Sequence, residues 1–452
     1  MSEEKKVITI PLSKILIVAG IIFVLFQIFS PNKKESGDES EKKETDTAKT
    51  VAPAPRQSSR NPRMSFEDVS QSLRKIPPDL AQGIDTVSWG RGKIIRHFSI
   101  DTTLQRRTEN MVRRARTRYG AAVAINPKTG QILAMVSQQD PELPVIAENL
   151  VLSNEFPAAS IIKTITAEAA FEYMPDITTA NTKGFTGRSP TLFRSQFMPR
   201  EAGANATQIT FAEAFARSNN PIFGRLAVHH IGRERLARSA QKFGWNSNIP
   251  FEMPVDVSHF PETTVENMND SINLAFLGSG FTNETTLTPL LGALIASTVV
   301  NNGNMMRPTI VDSITDMSGR VLYSAEPRQW KNSTASDIAD SLKILMRATS
   351  RIGSARNSFN DFRTFARTRD ITFGGKTGTK SSSHGRNEWF VGFAQDSEND
   401  FSIATSIVFT QRPKFILRPS QVSADMMLDY VRRTRRQIHE TDNISQRTEN
   451  EQ

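Results

Sequence analysis

Cysteine is absent from this 452-residue chain, and histidine is scarce, with 6 residues. The absence of cysteine excludes disulfides and thiolate chemistry, and it is compatible with either a reducing or an oxidising compartment. The sequence contains neither a C-x-x-C nor an H-E-x-x-H pattern, so it predicts no metal site and no cofactor. His229 and His230 occupy successive helix positions and cannot both face one ion, so we interpret both as structural.

Dense basic runs are also rare, although the formal net charge is +9. Lysines and arginines are spread along the chain without interleaved aromatic residues, which argues against a nucleic-acid partner. The one dense cluster comprises Arg432, Arg433, Arg435 and Arg436. Such a run is typical of a solvated helix face or helix end.

Long apolar runs are limited to residues 15–29, ILIVAGIIFVLFQIF. As a helix this run is about 22 Å long against a bilayer core of about 30 Å, so residues 7–11 would have to contribute. The following Ser30-Pro31-Asn32 offers no small-x-small cleavage site, which favours an uncleaved anchor over a signal peptide. We therefore predict a transmembrane anchor within residues 1–30. Lysines on both sides of it leave its orientation open.

Composition predicts how the rest of the chain is divided. Residues 31 to about 64 are charged, rich in proline and serine and almost free of large apolar side chains, as in a tether. We expect the residues after this tether to form a small lead-in that packs on the main domain. We therefore assign 31–92 to a flexible linker and lead-in segment. The main domain then covers 93–436, and a polar tail covers 437–452.

Hydrophobic patterns predict an α+β domain. The strand candidates are GAAVAINPKTGQILAMVS and IVDSITDMSGRVLY as hairpins, then FGGKTGTK, EWFVGFAQ and FSIATSIVFT as three successive strands. Helical patterns occupy 161–173, LTPLLGALIASTVV, 335–348 and about 420–433, with short interrupted helices over 209–243. Because strands lie at both ends of the domain, we expect one antiparallel sheet to join the early hairpin to the late strands, with helices packed on it.

A serine three residues before a lysine is the first candidate site. A serine hydroxyl needs a neighbouring base, and residues three apart lie on one helix face. Copies of the pattern include Ser30/Lys33, Ser40/Lys43, Ser72/Lys75, Ser160/Lys163 and Ser239/Lys242. The first three lie outside the predicted core, and the last lies in RERLARSAQK, a polar stretch typical of a solvated face. Only Ser160/Lys163 is flanked by small and apolar residues, where burial can lower the pKa of a lysine enough for it to act as base.

Two further short patterns recur. K-T-G occurs in a polar turn at 128–130 and again at 376–378, where it follows two glycines and enters a strand. A strand edge there can pair with an extended peptide, and Gly378 has no Cβ to block that approach. Copies of S-x-N include Ser59/Asn61, Ser218/Asn220, Ser271/Asn273 and Ser397/Asn399. The copy at Ser218 gains weight because it lies at a helix interruption before Pro221.

S-x-x-K, S-x-N and K-T-G in this order resemble the motif set of penicillin-binding proteins and serine β-lactamases. Flanking blocks such as FPAASIIKTITA, ARSNNPIFGRLA and NEWFVGFA are similar to the transpeptidase domain of penicillin-binding proteins, over about 100–410. The resemblance implies an antiparallel sheet with packed helices plus a helical subdomain. It also implies a peptidoglycan D,D-transpeptidase that cross-links stem peptides through a serine acyl-enzyme and binds penicillin.

The resemblance also implies roles for individual residues. Ser160 would attack the D-alanyl-D-alanine end of a stem peptide and Lys163 would accept its proton. Ser218 would relay a proton to the departing D-alanine, and Asn220 would bond Lys163 and the substrate amide. The implied substrate-binding residues are Lys376, Thr377, Gly378 and Thr379, with Lys376 also catalytic and the backbone N–H groups of Ser160 and Thr379 forming the oxyanion hole.

Partners and location follow from the same resemblance. It implies peptidoglycan stem peptides as substrates, β-lactams as covalent inhibitors and a glycan polymerase partner. The anchor then has a cytoplasmic stub, and the catalytic domain lies on the extracytoplasmic, periplasmic side of the cytoplasmic membrane.

The chain also departs from the resembling families. The nucleophile block reads P-A-A-S where many relatives have P-P-G-S, and we expect the helix start to be intact. We find no glycosyltransferase region and too little room before residue 93 for a large pedestal domain. A D,D-carboxypeptidase and a non-catalytic β-lactam or wall-fragment sensor stay open as alternatives. A β-lactamase is disfavoured because no E-x-x-x-N block lies between Ser218 and Lys376.

Overall fold

The computed structural model describes residues 63–75, 79–261, 269–412 and 416–450. In these ranges no helix is long and apolar enough to cross a bilayer. The predicted anchor at 15–29 and nearly all of the predicted tether lie outside the described residues.

The strands in the described residues form several antiparallel sheets. They are β1 Ile84–Trp89, β2 Gly92–Phe98, β3 Tyr119–Ile125, β4 Ile132–Gln139, β5 Thr182–Phe185, β6 Thr207–Thr210, β7 Asn304–Met306, β8 Val311–Asp316, β9 Val321–Ser324, β10 Gln329–Asn332, β11 Ile371–Ser382, β12 Gly385–Asp396 and β13 Phe401–Gln411. The five-stranded sheet has the order β11-β12-β13-β3-β4. The predicted union of the early hairpin with the three late strands is therefore confirmed. It leaves β11, which carries Lys376, at a sheet edge.

The helices in the described residues separate the strands in sequence. They are α1 Phe66–Lys75, α2 Thr102–Ala115, α3 Lys163–Tyr173, α4 Arg194–Phe197, α5 Phe211–Ala216, α6 Asn220–Leu226, α7 Arg233–Lys242, α8 Asn269–Ser279, α9 Pro289–Val300, α10 Ser336–Arg351, α11 Asn360–Ala366 and α12 Pro419–Asn450. Short 3₁₀ turns occupy Leu80–Gln82, Ala159–Ile162 and Arg356–Phe359, and a π turn occupies Ala227–Ile231. The predicted mixed α+β class, with interrupted helices over 209–243, is confirmed.

Side chains that alternate along β3 divide the core into two layers. Ala121 and Val123 belong to one buried cluster, and Ala122 and Ala124 belong to the other, as the two-residue period of a strand requires. Helix α9 packs on β13, β12 and β3, and every one of its residues is buried. A helix that is apolar all round must be enclosed, which explains the uninterrupted run LLGALIASTVV.

The lead-in segment joins this core. Val69 and Leu73 of α1 are buried, and β1 and β2 form a hairpin whose second strand pairs with β8. The four-stranded sheet has the order β1-β2-β8-β9. The expected domain boundary at residue 93 thus lies inside β2. No local sequence signal marks this hairpin as part of the domain, because the strand that pairs with β2 is more than 200 residues away.

The basic cluster near the C-terminus lies on α12, which continues to Asn450 through most of the segment expected to be a polar tail. Arg433 bonds Asp101 and Asp429, and Arg435 bonds Asp396 and Glu398. Two of the four arginines therefore hold α12 to the domain by ion pairs instead of facing only solvent.

The strand that carries K-T-G approaches α10 closely at Gly374. A Cβ there would lie 2.5 Å from the backbone nitrogen of Arg347 and 2.6 Å from the carbonyl oxygen of Met346. Because helix backbone cannot yield, we expect Gly374→Ala to lower the free energy of unfolding by about 2–4 kcal/mol. Chemical denaturation measures the change. The control is Gly92→Ala in β2, where a Cβ meets no atom within 4 Å; equal losses in both variants would contradict the packing argument.

Candidate active site

Ser160 and Lys163 meet across a short 3₁₀ turn. The turn covers Ala159–Ile162 and contains Ser160. The α-helix α3 begins at Lys163, two residues after the predicted start at 161. Side chains at positions i and i+3 eclipse each other in 3₁₀ geometry. The Lys163 Nζ accordingly lies 2.9 Å from the Ser160 Oγ.

The Lys163 amine is fully buried and has three close oxygen neighbours. Besides Ser160, it contacts Asn220 Oδ1 at 2.7 Å and the carbonyl oxygen of Ser279. Burial, reinforced by the charge of Lys376, holds the pKa of Lys163 well below its ordinary value. A neutral amine has two N–H groups and one lone pair. Its two carbonyl neighbours can only accept, so they take the two N–H groups and leave the lone pair for the Ser160 hydroxyl.

The amide of Asn220 is held in the orientation that this arrangement needs. Its Nδ2 donates to the carbonyl of Pro190 at 2.8 Å, which turns Oδ1 toward Lys163. Asn220 is the first residue of α6, and the side chain of Asn219 caps that helix by accepting from the Ile222 N–H at 2.9 Å. The preceding Ser218 has φ of 55°, a left-handed conformation that is costly for a serine.

Lys376 lies on β11 and is also fully buried. Its Nζ donates to Ser218 Oγ and to the Thr377 carbonyl, both at 3.0 Å. Burial lowers the pKa of Lys376 from 10.5 to about 7. The S-x-N motif thus bonds to both of the others, because Lys163 contacts Ser160 and Asn220 while Lys376 contacts Ser218.

The remaining motif residues follow on the same strand. A Cβ at Gly378 would lie 3.2 Å from the Cβ of Ala159 and 3.4 Å from Cγ1 of Ile161, so β11 runs directly against the turn that carries Ser160. Ser160, Ser218, Asn220 and Thr377–Thr379 all line one cleft of about 600 Å³. The structure therefore brings together every residue that the sequence predicted for the site.

The residues of this cleft lie within a region of the chain that matches a known protein family. The family model described as penicillin binding protein transpeptidase domain matches residues 120–419. The chain belongs to this transpeptidase family.

Individual relatives agree with the family. The peptidoglycan D,D-transpeptidase PbpA of Mycolicibacterium smegmatis is 25% identical over 386 residues, which cover 75% of this chain and 74% of the relative. PbpA of Mycobacterium tuberculosis is 26% identical over 384 residues, with the same coverage.

Solved structures show the same fold. The D,D-transpeptidase domain of a peptidoglycan glycosyltransferase from Eggerthella lenta has a TM-score of 0.60 at 20% identity, covering 75% of this chain and 83% of that one. The PBPA structure from Mycobacterium tuberculosis has a TM-score of 0.58 at 22% identity, covering 74% and 80%.

One departure from many transpeptidase-family members has a structural consequence. Ala159, at the position where P-P-G-S has glycine, has φ of 50°, a conformation that glycine adopts without strain. A Cβ at Gly280 would lie 2.1 Å from the Ala159 carbonyl oxygen, so Gly280 fixes the turn from the other side. The helix start expected to be intact is replaced by a strained 3₁₀ turn.

Several cleft residues of this transpeptidase-family site were missed by the sequence reasoning. They are Arg217, Phe281, Ser354, Lys380 and Arg386. Ser354 Oγ lies 2.5 Å from Thr377 Oγ1, and Lys380 Nζ lies 5.4 Å from the ring centroid of Phe281. Each of these residues is outside the three short motifs and belongs to no spacing pattern of its own, so no sequence signal identifies it.

The other S-x-x-K copy in the main domain is structural, although not in the way predicted. Ser239 is fully buried instead of lying on a solvated face. Lys242 bonds Glu168 at 2.8 Å and Glu172 at 2.5 Å. These bonds outweigh burial and raise the pKa of Lys242, so this lysine stays charged and cannot act as a base.

The buried charge of Lys376 has a cost that can be measured. Between about pH 7 and pH 10.5 the unfolded chain binds more protons at this residue than the folded chain does, so wild-type stability rises with pH across that window. We expect Lys376→Met to raise the free energy of unfolding by about 2–4 kcal/mol below pH 7, with the gain shrinking toward pH 10. Denaturation curves at several pH values test this, with exposed Lys93→Met as control. A gain independent of pH would contradict it.

Proposed function

We propose that this chain is a serine-type peptidoglycan D,D-transpeptidase that cross-links stem peptides and binds β-lactams covalently. The observation that carries the proposal is the fully buried Lys163 amine, whose Nζ lies 2.9 Å from Ser160 Oγ and also contacts the carbonyl oxygens of Asn220 and Ser279. Family membership and the PbpA relatives, which carry this activity in their names, support it.

In the proposed acylation step, Ser160 Oγ attacks the carbonyl carbon of the penultimate D-alanine while Lys163 accepts the hydroxyl proton. The backbone N–H groups of Ser160 and Thr379 donate to the oxygen on which negative charge develops. Asn220 positions Lys163 and bonds the substrate amide. The carbonyl carbon then carries the Ser160 ester, and the terminal D-alanine departs.

The departing amine needs a proton, which Ser218 delivers. Ser218 Oγ is bonded by Lys376, so the proton that it gives up can be replaced from that lysine. Lys376, Thr377 and Thr379 hold the terminal carboxylate of the donor peptide, which pairs with the free edge of β11. Gly378 lets the peptide backbone approach.

Before the second step Lys163 gives up the proton taken from Ser160 and Lys376 regains the one it supplied, so that Lys163 is again able to act as base. An amine from a neighbouring stem peptide then attacks the ester carbonyl, and Lys163 takes the amine proton and passes it to Ser160 Oγ as the ester bond breaks. None of the described residues that line the cleft is an aspartate or glutamate. A carboxylate that could activate water against the ester is therefore missing from this lining, which favours an amine acceptor over β-lactamase hydrolysis.

Location and partners complete the proposal. The apolar run at 15–29 anchors the chain in the cytoplasmic membrane with a cytoplasmic stub, a linker reaching to about residue 92 and the catalytic domain on the extracytoplasmic side. A glycan polymerase would supply the uncross-linked strands. Solved structures of penicillin-binding protein A from Mycobacterium tuberculosis as imipenem and penicillin G acyl-enzymes support β-lactams as covalent ligands here.

The test uses the full chain in two assays. Incubation with penicillin, followed by peptide mapping with mass spectrometry, is expected to place one adduct on the peptide that contains Ser160. Incubation with a pentapeptide donor and an amine acceptor is expected to give the cross-linked product. Trimmed donor without cross-linked product would indicate a D,D-carboxypeptidase. Rapid turnover of penicillin would indicate a β-lactamase. A penicillin adduct without trimmed or cross-linked peptide would indicate a sensor.

A further inference from the structure

A second pocket lies in the helical part of the domain, outside the active-site cleft. It has a volume of about 170 Å³. The charged and titratable residues that line it are Lys183, Arg200, Glu201, Arg225 and His230. Three cations thus converge from three different segments, namely β5, the loop after α4, and α6, against a single carboxylate.

Arg225 is the most buried of the three cations of this pocket, with an exposed fraction of only 9%. Its Nη1 donates to the Gly184 carbonyl and its Nη2 to the Gln196 carbonyl, both at 2.7 Å. Its Nε is buried without a hydrogen-bond partner among the described residues. Neither carbonyl carries a full negative charge, so the guanidinium is held in place but its charge is not neutralised.

Burial of an uncompensated cation is costly, and burial accordingly lowers the pKa of Arg225, with Glu201 opposing that effect. Lys183 and Arg200 add positive charge at the pocket and form no ion pair with a described carboxylate. Burial and these two cations lower the pKa of His230, which is therefore neutral at pH 7. A bound anion would supply the countercharge that the single carboxylate of Glu201 leaves incomplete.

We propose that this pocket, formed around Arg225 with Lys183 and Arg200 at its mouth, binds a phosphate group. A carboxylate has one charge and two oxygens, which a single arginine fork satisfies. Three cations from separate directions match the larger charge and the additional oxygens of phosphate. The side chains of Thr182 and Gln208 also line the pocket and provide further donors. The volume admits a compact phosphate ester and excludes a polymer chain.

The test measures binding to the full chain by isothermal titration calorimetry at low ionic strength. The probes are inorganic phosphate, glycerol 3-phosphate and dihexanoyl phosphatidylglycerol below its micellar concentration, with acetate as the carboxylate. The double variant Lys183→Glu with Arg200→Glu is expected to weaken phosphate binding at least tenfold, because both changes reverse charge at the mouth. Preference for one of the three phosphate probes identifies a free, ester or lipid source.

The matched control is the double variant Arg188→Glu with Arg194→Glu. Both residues are exposed and lie outside the pocket, and the net charge change is the same. Its phosphate affinity is expected to equal that of the wild type, and thermal unfolding checks that both variants fold. Absence of binding to all three phosphate probes, equal loss in both variants, or acetate binding as tight as phosphate would overturn the proposal. None of these readouts depends on acylation of Ser160.

Discussion

Ser160→Ala is expected to abolish covalent penicillin labelling of the full chain. Ser160 carries the one motif hydroxyl that the Lys163 lone pair faces, at 2.9 Å. Removing the nucleophile of an acyl-transfer site costs about 10⁶ in rate in a comparable serine enzyme, which places residual labelling below detection. Gel fluorescence with a fluorescent penicillin measures the label over a time course.

The matched control for this variant is Ser239→Ala, which removes the serine of the other S-x-x-K copy in the main domain. Ser239 is fully buried and lies outside the cleft. Its variant is expected to label at the wild-type rate. If Ser160→Ala retained the label, the nucleophile would be another hydroxyl of the cleft, and Ser218 and Ser354 would be the next variants to make.

The local pattern of the sequence was sufficient to predict much of this fold. Short runs of apolar and β-branched residues bounded by turn residues identified the β3–β4 hairpin and the strands β11–β13, because strands enclosed on both faces are nearly continuously apolar. The continuous apolar run of α9 marked a central helix. The predicted boundary at residue 93 separates β1 from nearly all of β2, because the partner strand β8 is remote in sequence and both strands of the hairpin are half exposed.

The site residues that act through their side chains could be predicted from the sequence. The groups that the backbone contributes to the site could not. Ser160, Lys163 and Lys376 could be selected because hydroxyl and amine groups at fixed spacing have few other uses in apolar surroundings. The carbonyl oxygens of Ser279 and Pro190 complete the same hydrogen-bond chain, yet any residue type provides a carbonyl. The 3₁₀ turn likewise depends on the close approach of Gly280, which is remote in sequence.

At this site the features that destabilise the folded chain are also the ones that the proposed reaction uses. Ala159 and Ser218 both have left-handed backbone conformations, and Lys163 and Lys376 are both buried without a carboxylate partner among the described residues. Each feature destabilises the folded chain, and each places a group that acylation requires. A site selected for stability alone would replace the lysines with apolar residues and Ala159 with glycine.

Lys163→Met is expected to slow penicillin acylation by about 10²–10⁴, the contribution of a positioned general base. The reason is that burial and the charge of Lys376 keep the pKa of Lys163 well below its ordinary value, which favours the neutral form that can accept a proton. In the wild type the acylation rate should rise with pH as Lys163 loses its proton. This rise should be missing from the methionine variant. Stopped-flow measurement of the second-order acylation rate from pH 5 to pH 9 tests both expectations.

Lys163→Arg separates the base from a merely positive group. Arginine carries a permanent positive charge and can still donate to the Asn220 and Ser279 oxygens, but it does not deprotonate in proteins. If Lys163 accepts the Ser160 proton, the arginine variant must therefore be as slow as the methionine variant at every pH. If Lys163 acted only by its charge, arginine would restore most of the rate and the methionine variant alone would fail. An arginine variant within tenfold of the wild type would thus remove the proton-transfer role while leaving Ser160 as the nucleophile.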